Sequence, residues 1–161
     1  MNRTLVVALS TIALFAGAAV GGLTKAPQTP DKPAAEPLVG ATLLQGLGQY
    51  RFPVTSSHPL VQRWFDQGLM LTFGFNHDAA ERSFLKATEL DPDCAMCWWG
   101  AALVLGPHVN SGMDPARNQD AWTRLQRAVA LAPKATERER AFIHALEARY
   151  AANPPEDRRT L

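Results

Sequence analysis

With only two cysteines in 161 residues, the chain has too few for a miniprotein built on disulfides. It also lacks an excess of charge. Sixteen Lys and Arg face 15 Asp and Glu, for a formal net charge of +1. A near-neutral chain has no concentrated basic face, so nucleic acid is not expected as a partner. Charged residues make up 19% and apolar ones 47%, which excludes disorder by composition. No Ser-His-Asp order and no glycine-rich phosphate loop occurs. Gly46-Leu47-Gly48 is too short for a nucleotide fingerprint. The expectation is therefore a non-enzyme, with no catalytic residue and no cofactor. The length suits one folded domain.

What is present begins with a targeting pattern. Arg3 and the amino terminus are positive, Leu5 to Val20 is apolar, and Ala16, Gly17, Ala18 and Ala19 are small. That order marks residues 1–23 as an export signal, with cleavage expected near Ala18. The alternative is a membrane anchor over residues 4–23, since about 20 apolar residues can just span a bilayer. No cysteine follows the run, which speaks against a lipid anchor. On either reading the rest of the chain lies outside the cytoplasm, and only the N-terminal segment would touch membrane. Residues 24–37 hold Pro27, Pro30, Pro33 and Pro37. Proline at that density favours a stiff extended linker. Residues 38–59 read as an N-terminal extended segment.

From residue 60 to 161, helix-period apolar residues alternate with turn signals. Trp64, Gly68, Leu71 and Phe75 lie 4, 7 and 11 apart from the first, on one helix face. Gly74 and Asn76 mark the end of that helix. A second helix over about 78–90 carries Ala80, Phe84 and Ala87, and Asp91-Pro92 stops it. The pattern returns with a helix from Trp98 to about Leu105. Another follows Asp114-Pro115 with Ala121, Leu125 and Ala128, ending at Ala132-Pro133. Ala80 to Pro92 and Ala121 to Pro133 both span 12 positions. Three units result: 60–93, 94–134 and a partial 135–161. The third helix of the first type runs from Thr136 to about Tyr150. Glu156-Asp157-Arg158-Arg159 looks like the start of its partner, so an array breaking off at a sixth helix is expected.

Trp64, Gly68, Ala80, Phe84, Ala87 and Pro92 resemble, in type and spacing, the tetratricopeptide repeat (TPR) signature. The second unit keeps Trp98, Ala121, Ala128 and Pro133 but has a long inter-helix loop over Gly106 to Gln119. The third has Arg138 in the place of the leading Trp. Gly74-Phe75-Asn76-His77 and Cys94-Ala95-Met96-Cys97-Trp98-Trp99-Gly100 are similar to stretches of longer, exported bacterial TPR proteins. The resemblance implies an all-α fold of antiparallel helical hairpins stacked as a short TPR-like superhelix. It also implies a periplasmic scaffold with a protein or peptide as its partner.

In that fold the first helices of successive hairpins line a groove. Phe65, Leu69, Thr72 and Phe73 on one, and Trp99 and Leu103 on the next, are the candidate peptide-binding residues. Against an open groove, Leu43, Leu44, Leu47, Tyr50 and Phe52 would fold back and fill the same face. His77 and His108 each lie near a hairpin's internal loop, so stacking would bring them to one edge beside Asn76, Asn110 and Met113. Two histidines without tight local spacing are a weak metal pattern. The competing reading has Asn76 and His77 capping the second helix. His58 and His144 are isolated. Asp91, Asp93 and Asp114 sit at turns and helix starts, where Asp accepts backbone bonds.

Cys94 and Cys97 flank Ala95-Met96 at the turn between units. Residues three apart at a helix start have α-carbons about 5 Å apart, within disulfide range, and an exported location favours the bond. A Cys94–Cys97 disulfide is the expectation. The alternative function is a thiol or metal module (copper or zinc) on that pair, with Met96 as a thioether for copper(I).

Overall fold

Five α-helices and no strand form among residues 41–155, the part of the chain that the computed structural model describes. The export signal, the proline-rich linker, residues 38–40 and the expected sixth-helix start lie outside the described residues. The helices are α1 (Val61–Phe73), α2 (His77–Leu90), α3 (Ala95–Leu103), α4 (Pro115–Leu131) and α5 (Glu137–Glu147). A short 3-10 turn, Ala132–Lys134, follows α4. None of these helices is long and apolar enough to cross a membrane.

Local chemistry sets each boundary. Gly74 donates its N–H to Met70 O and ends α1. Phe75 then takes a positive φ of 58°, and the Asn76 side chain caps α2 at Ala79 N. At Asp91 the backbone turns extended ahead of Pro92, where a helix cannot continue. Asp114 caps Ala116 N and Pro115 sits in the first turn of α4. Thr136 and Glu139 close a reciprocal capping box on α5. Several boundaries differ from the sequence reading: Phe75 lies beyond α1 and is exposed, α3 ends at Leu103 rather than near Leu105, and α5 ends at Glu147 rather than near Tyr150. α3 begins at Ala95, not Trp98, because the Cys94 side chain accepts the Cys97 N–H as an N-cap.

Neighbouring helices pack in chain order. α1 packs on α2, α2 on α3 and α3 on α4, and α5 packs against both α3 and α4. Small residues allow close approach, and one ring fills the space they leave. Phe84 of α2 is fully buried, with Gly68 of α1 and Gly100 of α3 both against it. A Cβ added at Gly68 would lie 2.8 Å from the ring, and one at Gly100 only 2.4 Å. Ala80, Ala87, Ala121 and Ala128 are likewise buried, as are Trp64 and Leu125.

Residues 41–59 contain neither helix nor strand. Their backbone is held by side chains of α1. Gln67 accepts from Leu44 N and donates to Thr42 O. Gln62 accepts from Val54 N and donates to Phe52 O, while Asp66 accepts from Phe52 N. The Phe52 ring inserts against Phe65, 6.0 Å between centroids, and edge-on to Phe142 of α5 at 5.1 Å. Arg138 covers it at 4.2 Å. Two buried carboxylates fix the next residues. Glu139 takes the Thr55 N–H and hydroxyl at 2.6 and 2.8 Å. Asp91 takes Ser56 Oγ and Ser57 N at 2.5 and 2.8 Å.

A candidate ligand cleft at the loop end

The expected groove residues separate into two groups. Phe65, Leu69 and Trp99 are buried at 0%, 3% and 8% exposure, so they belong to the core and not to an open groove. The cause is the upstream segment: Phe52 caps Phe65, and Leu43 and Leu47 pack on the same core. Trp99 is also tied down by its indole N–H, which donates to Phe142 O at 3.0 Å. Leu44 and Tyr50 do not join the filling; each is about half exposed. The other three, Thr72, Phe73 and Leu103, line a cleft of about 570 Å³.

That cleft sits where α1 turns into α2 and where α3 runs into the long loop. Phe75, Pro107 and Val109 supply most of its remaining apolar wall. Phe73, Phe75 and Val109 are 62%, 55% and 86% exposed. The loop wall is shaped by Gly106, whose φ of 109° suits glycine. The Tyr150 hydroxyl meets the Gly106 carbonyl, and Arg149 donates to Pro107 O at 3.1 Å. His108 and Ser111 exchange backbone bonds of 3.0 and 3.1 Å.

His77 and His108 do meet at this edge. Their rings stack at 4.2 Å between centroids and 23° between planes, with Phe75 6.2 Å from the first and 6.4 Å from the second. Asn110 N–H donates to His108 Nδ1 at 3.3 Å, so a neutral His108 carries its proton on Nε2. Neither buried ring nitrogen of His77 has a hydrogen-bond partner. His77 therefore does not cap α2; Asn76 alone does. Burial, then the neighbouring His108 and Arg117, hold His77 below the ordinary imidazole range, with Asp78 opposing. Asn110 is exposed, and Met113 packs against the core.

No protein-family description, no curated protein and no solved structure matches this chain.

The proposed metal ligands fall apart as a set. Cys94 and Cys97 are joined in a disulfide with α-carbons 5.3 Å apart, which leaves no thiolate for a metal in this state. Met96 is fully buried. None of the three lines the cleft that holds the two histidines. Among the described residues no group of three or more His, Cys, Asp or Glu is placed to hold an ion. A second cavity, about 240 Å³, is lined by Thr55, Ser56, Asp91, Lys134 and Glu139 among others. Of its three carboxylates, Asp91 and Glu139 are already engaged by Ser and Thr donors and form the clamp on the upstream segment, and the third is Asp93. Asp114 caps as expected, whereas Asp93 is exposed and faces Arg127 and Lys134 at 3.9 and 3.7 Å.

Sequence reasoning missed Phe75, Pro107 and Val109 as cleft residues. Phe75 carried a signal against the core, since it directly follows Gly74 in a turn. Glu139 and Phe142 carried none, because their partners lie 84 and 43–90 positions away in the chain.

Proposed function

We propose that the chain is an exported, TPR-type interaction scaffold that binds an apolar segment of a protein or peptide in the loop-end cleft. The exposure of Phe73, Phe75 and Val109 around a cleft of about 570 Å³ carries this reading. Exposed aromatic and aliphatic side chains gathered on one concavity are the usual mark of a recognition surface. The preferred occupant carries Leu, Phe or similar side chains, since Phe73, Phe75, Leu103, Val104, Pro107 and Val109 offer carbon surface and few polar groups. Residues 41–57 already occupy the face of α1 that a TPR superhelix would offer as its groove, so the ligand surface moves to the loop end. The export pattern of residues 1–23 and the Cys94–Cys97 disulfide support an oxidising, periplasmic setting.

The test uses fluorescent peptides selected from a random displayed library against the intact protein. Phe73→Ser should weaken the selected peptides by about tenfold or more, the scale of losing a buried aromatic anchor. Because Phe73 is exposed, stability should change by no more than about 0.5 kcal/mol. Peptides that bind Phe73→Ser and the parent equally would refute the cleft as the site.

A further inference from the structure

We infer that the stacked His77–His108 pair is a proton-operated latch: protonation of the two rings releases residues 106–113 from the start of α2 and dismantles one wall of the cleft. Its meaning for ligand release rests on the cleft reading above; the latch itself rests on geometry.

The closed arrangement accepts only neutral rings. A charged imidazole presents two N–H donors and no acceptor. Both nitrogens of His77 are buried and unpartnered, so a charge there would have nothing to receive its donors. His108 would lose its acceptor at Nδ1, and with it the bond from Asn110 N–H. Two charged rings would also face each other at 4.2 Å, where like charges repel strongly. The surroundings add little relief. Arg117 of α4 acts on His77 with the same sign, although Glu81 of α2 pairs with it at 2.5 Å. Arg149, which follows α5, lines the same cleft. The first turn of α2 contributes the positive end of its helix dipole. Asp78 alone opposes, and it is exposed.

His108 is the mobile partner of the two. His77 is built into α2, whereas His108 lies in a loop that is closed on itself by two bonds to Ser111 and joined to its surroundings by Gly106 N–H to Leu103 O, Tyr150 to Gly106 O and Arg149 to Pro107 O. Relief of the repulsion therefore moves the loop. Burial first, and then the neighbouring His108 and Arg117, lower the proton affinity of His77. Stability of the closed wall is present above the ordinary imidazole value of 6.5 and is lost as pH falls below it. For each proton taken up on opening, the ratio of open to closed wall rises by up to about tenfold per pH unit.

Nuclear magnetic resonance of the full chain between pH 8 and 4.5 reads this directly, through the backbone amides of 106–113 and the four imidazoles. In the parent, the amides of His108, Asn110 and Ser111 should leave their closed positions together with His77 titration, while α1 and α2 amides stay. His108→Phe keeps a stacked ring without the charge, and its loop should remain closed to pH 5. A wall unchanged while His77 titrates would overturn the latch, as would a His108→Phe loop that opens at the parent's pH. These signals need no ligand. A latch that opens on schedule while Phe73→Ser leaves peptide binding intact would sink the cleft reading and spare the latch.

Discussion

Gly100→Ala should reverse its sign of effect depending on what stands at position 84. In the parent, the new Cβ would lie 2.4 Å from Phe84 Cδ1 and Cε1, more than an ångström inside the usual carbon separation of about 3.5–4.0 Å. The ring has little room to retreat. Gly68 of α1 lies so close that a Cβ there would meet it at 2.8 Å, Phe65 meets it at 5.3 Å between centroids, and it is fully buried. Forced overpacking of this kind costs about 1–3 kcal/mol. Alanine in a helix interior returns about 0.8–1.0 kcal/mol relative to glycine, so the net effect is a loss of about 0–2 kcal/mol. Phe84→Ala by itself should cost about 3–5 kcal/mol, and it empties the space. In that background Gly100→Ala has nothing to strike and should stabilise by about 0.5–1 kcal/mol. Urea titration followed by far-ultraviolet circular dichroism on the four proteins closes the cycle. Equal effects of Gly100→Ala in both backgrounds, or a stabilising effect in the parent, would refute the packing argument.

Acid sensitivity should trace to the clamp on the upstream segment. Burial pushes the Glu139 carboxyl up, but hydrogen bonds from Thr55 and Thr136 outweigh it and hold it below its ordinary 4.5. Asp91 is held below 3.8 in the same way by Ser56, Ser57 and Asp93. Their stabilisation is complete above those ordinary values and is lost as pH falls through the lower folded ones. Thr55→Val removes one bond to a charged acceptor and should cost roughly 1.5–3 kcal/mol near neutrality. The cost should shrink near pH 3; an equal loss at both pH values would contradict the assignment. Alkylation without reductant should find no free thiol in protein from an oxidising compartment, and two modified cysteines would refute the disulfide. Reduction should cost only about 2 kcal/mol, because the closed loop is so short.

The helices were legible because their signals are local. Asp91-Pro92, Asn76 and Asp114-Pro115 act within one turn of the residues they govern. The buried Trp64, Ala80, Phe84 and Ala87 followed from period and size alone. The disulfide was legible for the same reason, since its two residues are three apart. The match of Gly68 and Gly100 at one ring was not legible, because it depends on α1 and α3 both reaching Phe84 of α2.

Whether the groove stood open was a tertiary question. Phe65, Leu69 and Trp99 have the pattern of a ligand face, and the path of residues 41–57, together with Phe142 of α5 against Trp99, decides that they are core. That path depends on Thr55 reaching Glu139, 84 positions on, and on Ser56 reaching Asp91, 35 positions on. The sequence carries the carboxylates and hydroxyls but no register that pairs them. It placed His77 and His108 at the same edge, because both follow a first helix. The 4.2 Å stack and the unpartnered nitrogens of His77 are products of the fold. Hydrogen-bond partners and burial depend on separations of a few ångströms between distant segments, and periodicity along the chain carries no such distances.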